Sequence, residues 1–176
     1  MAIILNIFDD GYIFQDNFYN KHSEQPTFTN RLNISAHGTR DGGIIINGNR
    51  FNAHQLLSFL RQRVVNISQY NYIRLACCFS AHGGENSLAF LLSQIIPFAY
   101  IKGYMGGVDT LCQPDIINRE LHQYGIHQAS IFLTNAMLMG SFVEKNHPEF
   151  HSIVFFNGSY KHEKIFNLYG EEIIHE

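Results

Sequence analysis

The chain has 176 residues, is 45% hydrophobic, and carries a net charge of −3 with only 12 lysines and arginines. This length suits a single domain with a proper core, predicted over 1–176. The sparse cations argue against a nucleic-acid partner, because phosphate binding needs clustered lysines and arginines. No apolar run approaches the ~20 residues of a membrane span, and we expect the first residues to form a strand, not a signal peptide. Three cysteines, two of them adjacent, favour a reducing compartment over a disulfide framework.

The N-terminal part predicts two strands joined by a long connection. Residues 2–8 are apolar enough for a fully buried strand. Residues 9–30 are polar and aromatic, and we expect an ordered loop there, with at most one helical turn, that packs aromatic rings over the sheet. Asp9-Asp10 could line a site, although such a pair is more typical of a solvated turn. Residues 32–38 then alternate as a short strand that ends in His37-Gly38.

The middle of the chain alternates strands and helices. Asn47-Gly48 between apolar flanks is a strong hairpin signal. The helix predicted next has one apolar face, formed by Leu56, Leu57, Leu60 and Val64. In chain order the predictions are the hairpin over 43–51, a helix over 51–65, a strand ending at Cys77, a helix over 85–96 and a strand over 99–104.

The C-terminal part has weaker patterns. Pro114 starts a predicted helix that ends near Tyr124, and a second helix is favoured over 129–143, with a strand as the alternative. Residues 152–156 and 164–169 predict a hairpin, and 171–176 are expected to fray. The alternation of strands and helices predicts an α/β fold: a mainly parallel sheet flanked by helices, with a C-terminal hairpin.

Two of the predicted strands finish with a reactive residue, His37 in one and Cys77 in the other. A strand followed by a tight turn and a helix places its last side chain at the rim of the sheet, where open α/β sheets do their chemistry. If the two strands are adjacent and parallel, His37 and Cys77 meet at one edge, as a Cys–His pair requires. The residues alone favour Cys77 over Cys78 only slightly, because adjacent strand residues face opposite ways.

Ser35-Ala36-His37-Gly38 followed by Leu75-Ala76-Cys77 resembles the pattern of caspase-like cysteine peptidases (clan CD). The nearest likeness is to the self-cleaving peptidase domains of large bacterial toxins, over roughly residues 30–108. The resemblance implies a caspase-like sheet, Cys77 as nucleophile and His37 as general acid and base. It also implies an oxyanion hole formed by the backbone N–H groups of Gly38 and Cys77.

The resemblance further implies a specificity pocket lined by residues 39–43 and 100–108. Asp41 would select a basic side chain, Arg40 (or Arg74) an acidic one, and Tyr104 with Met105 an apolar one; these options stay open. The implied partner is a protein or peptide substrate, met in the cytoplasm or in a host cytosol after delivery as a toxin or effector. Hydrolysis of this kind needs no metal or organic cofactor. A polyphosphate activator, known for some toxin members, is not carried over because the cations are scattered.

Several alternatives remain from the sequence. The chain could be a binding module that keeps the fold without turnover, or another thiol enzyme such as an acyltransferase or a deamidase. Cys77 could be an inert buried cysteine, and His82-Gly83 is a rival histidine motif just past the strand. Zinc is disfavoured, because Cys77-Cys78 cannot readily bind one tetrahedral ion together.

Overall fold

The fold is a layered arrangement of strands and helices in the computed structural model, which describes residues 1–110, 112–139, 143–144, 151–166 and 171–173. The strands, in chain order, are Ile3–Phe8 (β1), Gly11–Asn20 (β2), Thr27–Ser35 (β3), His37–Gly38 (β4), Ile44–Ile46 (β5), Asn49–Phe51 (β6), Tyr72–Ala76 (β7), Tyr100–Tyr104 (β8), Asp109–Thr110 (β9), Val143–Glu144 (β10), His151–Phe156 (β11), Ser159–Phe166 (β12) and Glu172–Ile173 (β13). The helices are Ala53–Arg63 (α1), Leu88–Ile95 (α2), Pro114–Tyr124 (α3) and Ile126–Met139 (α4).

Eight strands form the central sheet, in the order β1-β2-β3-β7-β8-β11-β12-β13. The central strands β3, β7 and β8 are parallel, and the pairings on both sides of them are antiparallel. The predicted α/β class is therefore confirmed. The sheet is mixed, and the expected parallel arrangement holds at its centre, where β3 and β7 are adjacent as predicted.

The prediction of a loop over residues 9–30 is wrong, because this stretch contains β2 and the beginning of β3. Asp9-Asp10 forms a tight turn after which β2 runs antiparallel to β1. On one face of β2 the alternation Tyr12, Phe14, Phe18 is interrupted by Asp16, which is nevertheless buried. A charged side chain at a core position concealed the strand pattern.

Asp16 is buried because it belongs to a polar network that links three strands. Arg31 donates to both Asp16 oxygens, at 3.0 and 2.6 Å, and the Asn33 amide donates to Asp16 Oδ1 at 2.7 Å. Arg74 Nε on β7 then donates to Asn33 Oδ1 at 2.8 Å. Burial raises the pKa of the Asp16 carboxyl, but the hydrogen bond and charge of Arg31 outweigh burial and lower the pKa overall.

The hairpin and helices predicted in the middle of the chain are confirmed. Asn47 and Gly48 have φ of 51° and 77°, the left-handed geometry that a two-residue hairpin turn requires. Asn52 and Gln55 form a capping box at the start of α1. Helix α2 begins at Leu88, three residues later than predicted, because Gly84–Asn86 form a 3₁₀ turn and Ser87 caps the helix.

In the C-terminal part, the two helices and the hairpin are confirmed in the described residues, but Val143, predicted as the end of the second helix, lies in strand β10, and the fraying expected at Glu172–Ile173 is wrong. Helix α3 has the predicted bounds, and α4 confirms the favoured helix up to Met139. The hairpin β11–β12 is confirmed, with its turn at Asn157-Gly158. Residues 140–142 and 167–169 lie outside the described residues, as do 174–176, whereas Glu172–Ile173 pair with β12 and are not frayed.

Each face of the sheet is packed against a pair of helices. One core contains the inner faces of α1 and α2 with alternate strand residues such as Ile34 and Leu75. The other contains α3 and α4 residues with Tyr12, Phe14 and Ala76. Among the described residues, no helix combines the length and apolar character needed to cross a membrane.

Candidate active site

The site lies where β3 and β7 end. These strands are parallel, with Ser35 opposite Ala76, so the residues that follow each strand emerge at the same edge of the sheet. His37-Gly38 forms the short strand β4, which pairs with β5 in a small three-stranded sheet. A Cβ added at Gly38 would overlap the carbonyl oxygen of Cys78. The His-Gly motif is therefore packed directly against the end of the cysteine strand.

Cys77 points into the core between the sheet and helices α1 and α2. It is 1% exposed, and its sulfur lies 3.7 Å from the carbonyl oxygen of Ile34. Burial raises the pKa of the Cys77 thiol to about 12. Because the thiolate is the nucleophilic form, a buried neutral thiol is inert at neutral pH. The structure thus does not bring the sequence-predicted nucleophile to the open side of the site.

Cys78 faces the opposite way and is half-buried. The backbone N–H of Val108 donates to its sulfur at 3.3 Å, and the Cys78 thiol can donate to the Val108 carbonyl at 3.5 Å. The Val108 backbone therefore holds the Cys78 sulfur at a fixed position.

A pocket of about 130 Å³ contains both His37 and Cys78 on its wall. It lies between the ends of β3 and β7, strand β9 and the start of α3. Its described lining residues are Asp10, Ser35, Ala36, His37, Ala76, Cys78, Val108, Asp109, Thr110, Gln113 and Pro114. His37, which is exposed, and Cys78, which is half-buried, thus both line one small cavity.

The turn that follows Cys78 is held in an unusual conformation. Phe79 has φ of 60°, a left-handed geometry that is strained for an aromatic residue. Its N–H donates to Gly106 O at 3.0 Å, and the Ser80 hydroxyl bridges Leu75 O and the N–H of Tyr104. Hydrogen bonds to β8 and the loop after it offset the strain and fix the orientation of Cys78.

The four predicted specificity residues lie outside this pocket. The guanidinium of Arg40 stacks on the Phe79 ring at 4.2 Å. The hydrogen bond from Thr39, followed by that from Arg50, lowers the pKa of Asp41, which forms an exposed 3.2 Å ion pair with Arg50. Tyr104 is buried in the second core, and Met105 packs against the first.

The sequence offers Asp9-Asp10 only as an alternative site lining and has no signal for the rest of the pocket's polar wall. Asp10 reaches it because the β1–β2 turn is bound to the β5–β6 turn: its carboxylate accepts the N–H groups of Asn47 at 3.0 Å and Gly48 at 3.3 Å. Asp109, Thr110 and Gln113 complete the wall. A solvated turn has no local sequence signal for such a long-range contact.

The other candidate groups lie away from the pocket. His82 Nδ1 is 3.2 Å from Arg40 O, and its ring meets Phe79 edge-on. Cys112 is buried, which raises the pKa of its thiol, and its carbonyl accepts the Tyr12 hydroxyl. Within the described ranges, no group of His, Cys, Asp or Glu residues could hold a metal ion.

Comparison of the chain with known proteins gave no match. No protein-family model, no curated protein and no solved structure matches it. The assignment of function therefore depends on the geometry of the pocket.

Proposed function

We propose that the protein is a cysteine peptidase of the caspase-like type, in which Cys78 is the nucleophile and His37 the general acid and base. The observation that carries this proposal is the small pocket that both residues line, beside the ends of two adjacent parallel strands. The role of nucleophile moves from Cys77 to Cys78 because Cys77 is buried in the core with a raised thiol pKa.

In the proposed reaction, the Cys78 thiol gives its proton to His37, and the sulfur attacks the carbonyl carbon of a peptide bond. A C–S bond forms, and the C–N bond breaks as the His37 imidazolium protonates the departing amine. His37 then takes a proton from water, which attacks the acyl carbon. The C–S bond breaks, the carboxylic acid leaves, and His37 returns the proton to the Cys78 sulfur to restore the free thiol. No other reactant is needed.

The oxyanion hole in this proposal consists of the backbone N–H groups of Gly38 and Cys78. A Cβ built at residue 38 comes within 3.2 Å of the Cys78 nitrogen, so the two backbones are in contact. Donors fixed in the backbone stabilise a developing oxyanion without reorganisation. The N–H of Cys78 replaces that of Cys77 in the oxyanion hole because the proposed nucleophile is Cys78.

The proposal is tested by cleavage of a broad peptide library by the wild-type chain and by Cys78→Ala, His37→Ala and the double variant. Each single variant should lose activity by about a thousandfold or more, and the double variant should be no worse, because the two groups act as a unit. His82→Ala is the matched control and should keep most activity. Retained cleavage by folded Cys78→Ala or His37→Ala would contradict the proposal.

Product analysis separates peptide hydrolysis from the other thiol reactions. A new N-terminus and a new carboxylate identify a peptidase, whereas ammonia release or acyl transfer identifies a deamidase or an acyltransferase. Action as a toxin or effector inside a host cytosol is a further part of the proposal, and its support is the resemblance of the His-Gly and Ala-Cys motifs.

A further inference from the structure

The pocket that contains Cys78 and His37 has an acidic wall. Asp10 and Asp109 both line it, and no lysine or arginine is among its described lining residues. His37 and Cys78 are its other titratable groups, and Ser35, Thr110 and Gln113 add uncharged polar side chains. The two aspartates give the described wall an acidic character.

Asp10 is held in place by the chain itself. Its two carboxylate oxygens accept separate backbone N–H groups, from Asn47 at 3.0 Å and from Gly48 at 3.3 Å. Each carboxylate oxygen can accept more than one hydrogen bond, so Asp10 can still accept from a ligand. Asp109 also has interactions of its own within the chain. We place the selective charge on Asp10 because the two groups that hold its carboxylate are uncharged backbone N–H groups, which fix its position without neutralising its charge.

The cavity has the size of one side chain. Its volume of about 130 Å³ is slightly below the ~150 Å³ of a cavity that accepts benzene. Because the cavity includes Cys78, a side chain inside it belongs to a residue next to the attacked carbonyl.

The structure also separates the three options that the sequence left open. Asp41 is already paired with Arg50 and lies outside the cavity, as does Arg40, which stacks on Phe79. Tyr104 and Met105 pack in the two cores. A basic substrate side chain remains the best match, recognised by a carboxylate other than Asp41.

We infer that the pocket binds a cationic side chain, lysine or arginine, of the substrate residue that supplies the attacked carbonyl, and that Asp10 is the specificity-determining residue. This inference rests on the proposed peptidase function for its catalytic consequence. The charge preference of the pocket is a separate property that can be measured without turnover.

The first test compares matched peptides that differ only at the residue before the scissile bond. Lysine and arginine peptides should be cleaved faster than leucine or glutamate peptides, and Asp10→Asn should lower the lysine-over-leucine preference by about tenfold or more. Asp41→Asn, which removes a carboxylate outside the pocket, is the matched control and should keep the preference. Faster cleavage of leucine or glutamate peptides overturns the inference and leaves the peptidase proposal intact.

The second test measures the electrostatic preference at Cys78 directly. A cationic aminoethyl thiosulfonate and an anionic sulfonatoethyl thiosulfonate both convert a thiol to a mixed disulfide, and mass spectrometry follows each rate, with Cys78→Ala as the blank. The cationic reagent should react faster, and Asp10→Asn should reduce the ratio of rates about tenfold or more, unlike Asp41→Asn. Equal rates for the two reagents, or a ratio of rates that Asp10→Asn leaves unchanged, overturn the inference. If the ratio of rates is as expected but no peptide is cleaved, the peptidase proposal is refuted and the charge preference of the pocket stands.

Discussion

Cys77 and Cys78 are neighbours in sequence but lie in different chemical environments. The first sulfur is buried against the Ile34 carbonyl, and the second lies at the wall of a cavity beside Val108. Reactivity follows exposure and thiolate content, so only one of these thiols is placed for chemistry.

Alkylation should distinguish the two thiols. We expect iodoacetamide at about pH 8 to modify Cys78 in the folded chain and to leave Cys77 unmodified, because burial raises the pKa of Cys77 to about 12 and blocks access. Peptide mapping by mass spectrometry identifies the modified residue, with the denatured chain as the control in which both react. Modification of Cys77 with Cys78 intact would restore Cys77 as the candidate nucleophile.

The Cys77 thiol should also affect stability at high pH. Its pKa is raised from about 9 to about 12 in the folded chain, so above pH 9 the unfolded chain loses a proton that the folded chain keeps. The free energy of unfolding should therefore fall as pH rises through this interval, by up to about 1.4 kcal/mol per pH unit from this group.

Cys77→Ala should make that fall less steep between pH 9 and 10, as measured by urea unfolding at several pH values. At neutral pH the variant should be destabilised by about 0.5–3 kcal/mol, because a buried sulfur is removed. Equal slopes for the two chains would show that Cys77 ionises as readily in the folded state as in the unfolded one.

The positions of the two motifs at the candidate site could be predicted from the sequence. Motif order placed His37-Gly38 and the cysteine pair at adjacent strand ends, and the strand pairing confirms that placement. The sequence and the resemblance favour Cys77, whereas Cys78 is the cysteine that lines the pocket. A shift of one residue reverses which face a side chain occupies, and this register is not encoded in the motif. For Asp9-Asp10 the sequence offers a site lining only as the alternative to a solvated turn, since the contact of Asp10 with the pocket depends on a turn far along the chain.

At the scale of elements, the site depends on close packing of β4 against the end of β7. Gly38 contacts the Cys78 backbone, and no side chain fits between them. Glycine at residue 38 allows the two backbones to approach closely. A larger residue at this position would displace β4 or the end of β7.

Gly38→Ala should therefore abolish activity even though His37 and Cys78 remain. The new Cβ would overlap the Cys78 carbonyl oxygen, and displacement of β4 by even about 1 Å can reduce a rate about a hundredfold. Peptide cleavage and thermal unfolding measure the two effects together. Gly125→Ala, at the end of α3, where a Cβ meets nothing within 4 Å but φ is 88°, is the control for backbone strain alone. Full activity of Gly38→Ala would show that β4 need not hold this position.

Elements with local signals were predicted well and those with long-range causes were not. Asn-Gly turns, an Asn52–Gln55 capping box and Pro114 at a helix start all act within a few residues. Strand β2 was missed because Asp16 occupies a core position that only Arg31 and Asn33 on the next strand make tolerable.

At the scale of the whole molecule, the Asp16 network joins β2, β3 and β7 on one face of the sheet. One carboxylate faces two guanidinium groups, those of Arg31 and Arg74, through direct and Asn33-mediated hydrogen bonds. Loss of one partner from a buried ionic group leaves the other charge uncompensated.

Asp16→Asn should destabilise the fold by about 3–5 kcal/mol, measured by urea unfolding at neutral pH. The pKa of Asp16 is lowered in the folded state, so its contribution is present above about pH 4 and is lost as pH falls further; the variant should lose less stability in acid. Asp41→Asn removes an exposed ion pair and should change stability little. A change as small as that of the control would mean that the network contributes no net stability.

The hydrogen bonds between the β1–β2 and β5–β6 turns limit which mutations the chain can accept. Asn47 has a left-handed φ, its side chain accepts the Asp9 N–H, and its own N–H donates to Asp10. Glycine at residue 47 would adopt the left-handed φ but would lack the side-chain oxygen that accepts the Asp9 N–H, although glycine normally suits either position of such a turn. Residue 47 is therefore constrained twice during evolution, by the shape of its own hairpin and by the position of Asp10 in the pocket. Fewer substitutions at residue 47 should be neutral than at an ordinary surface turn.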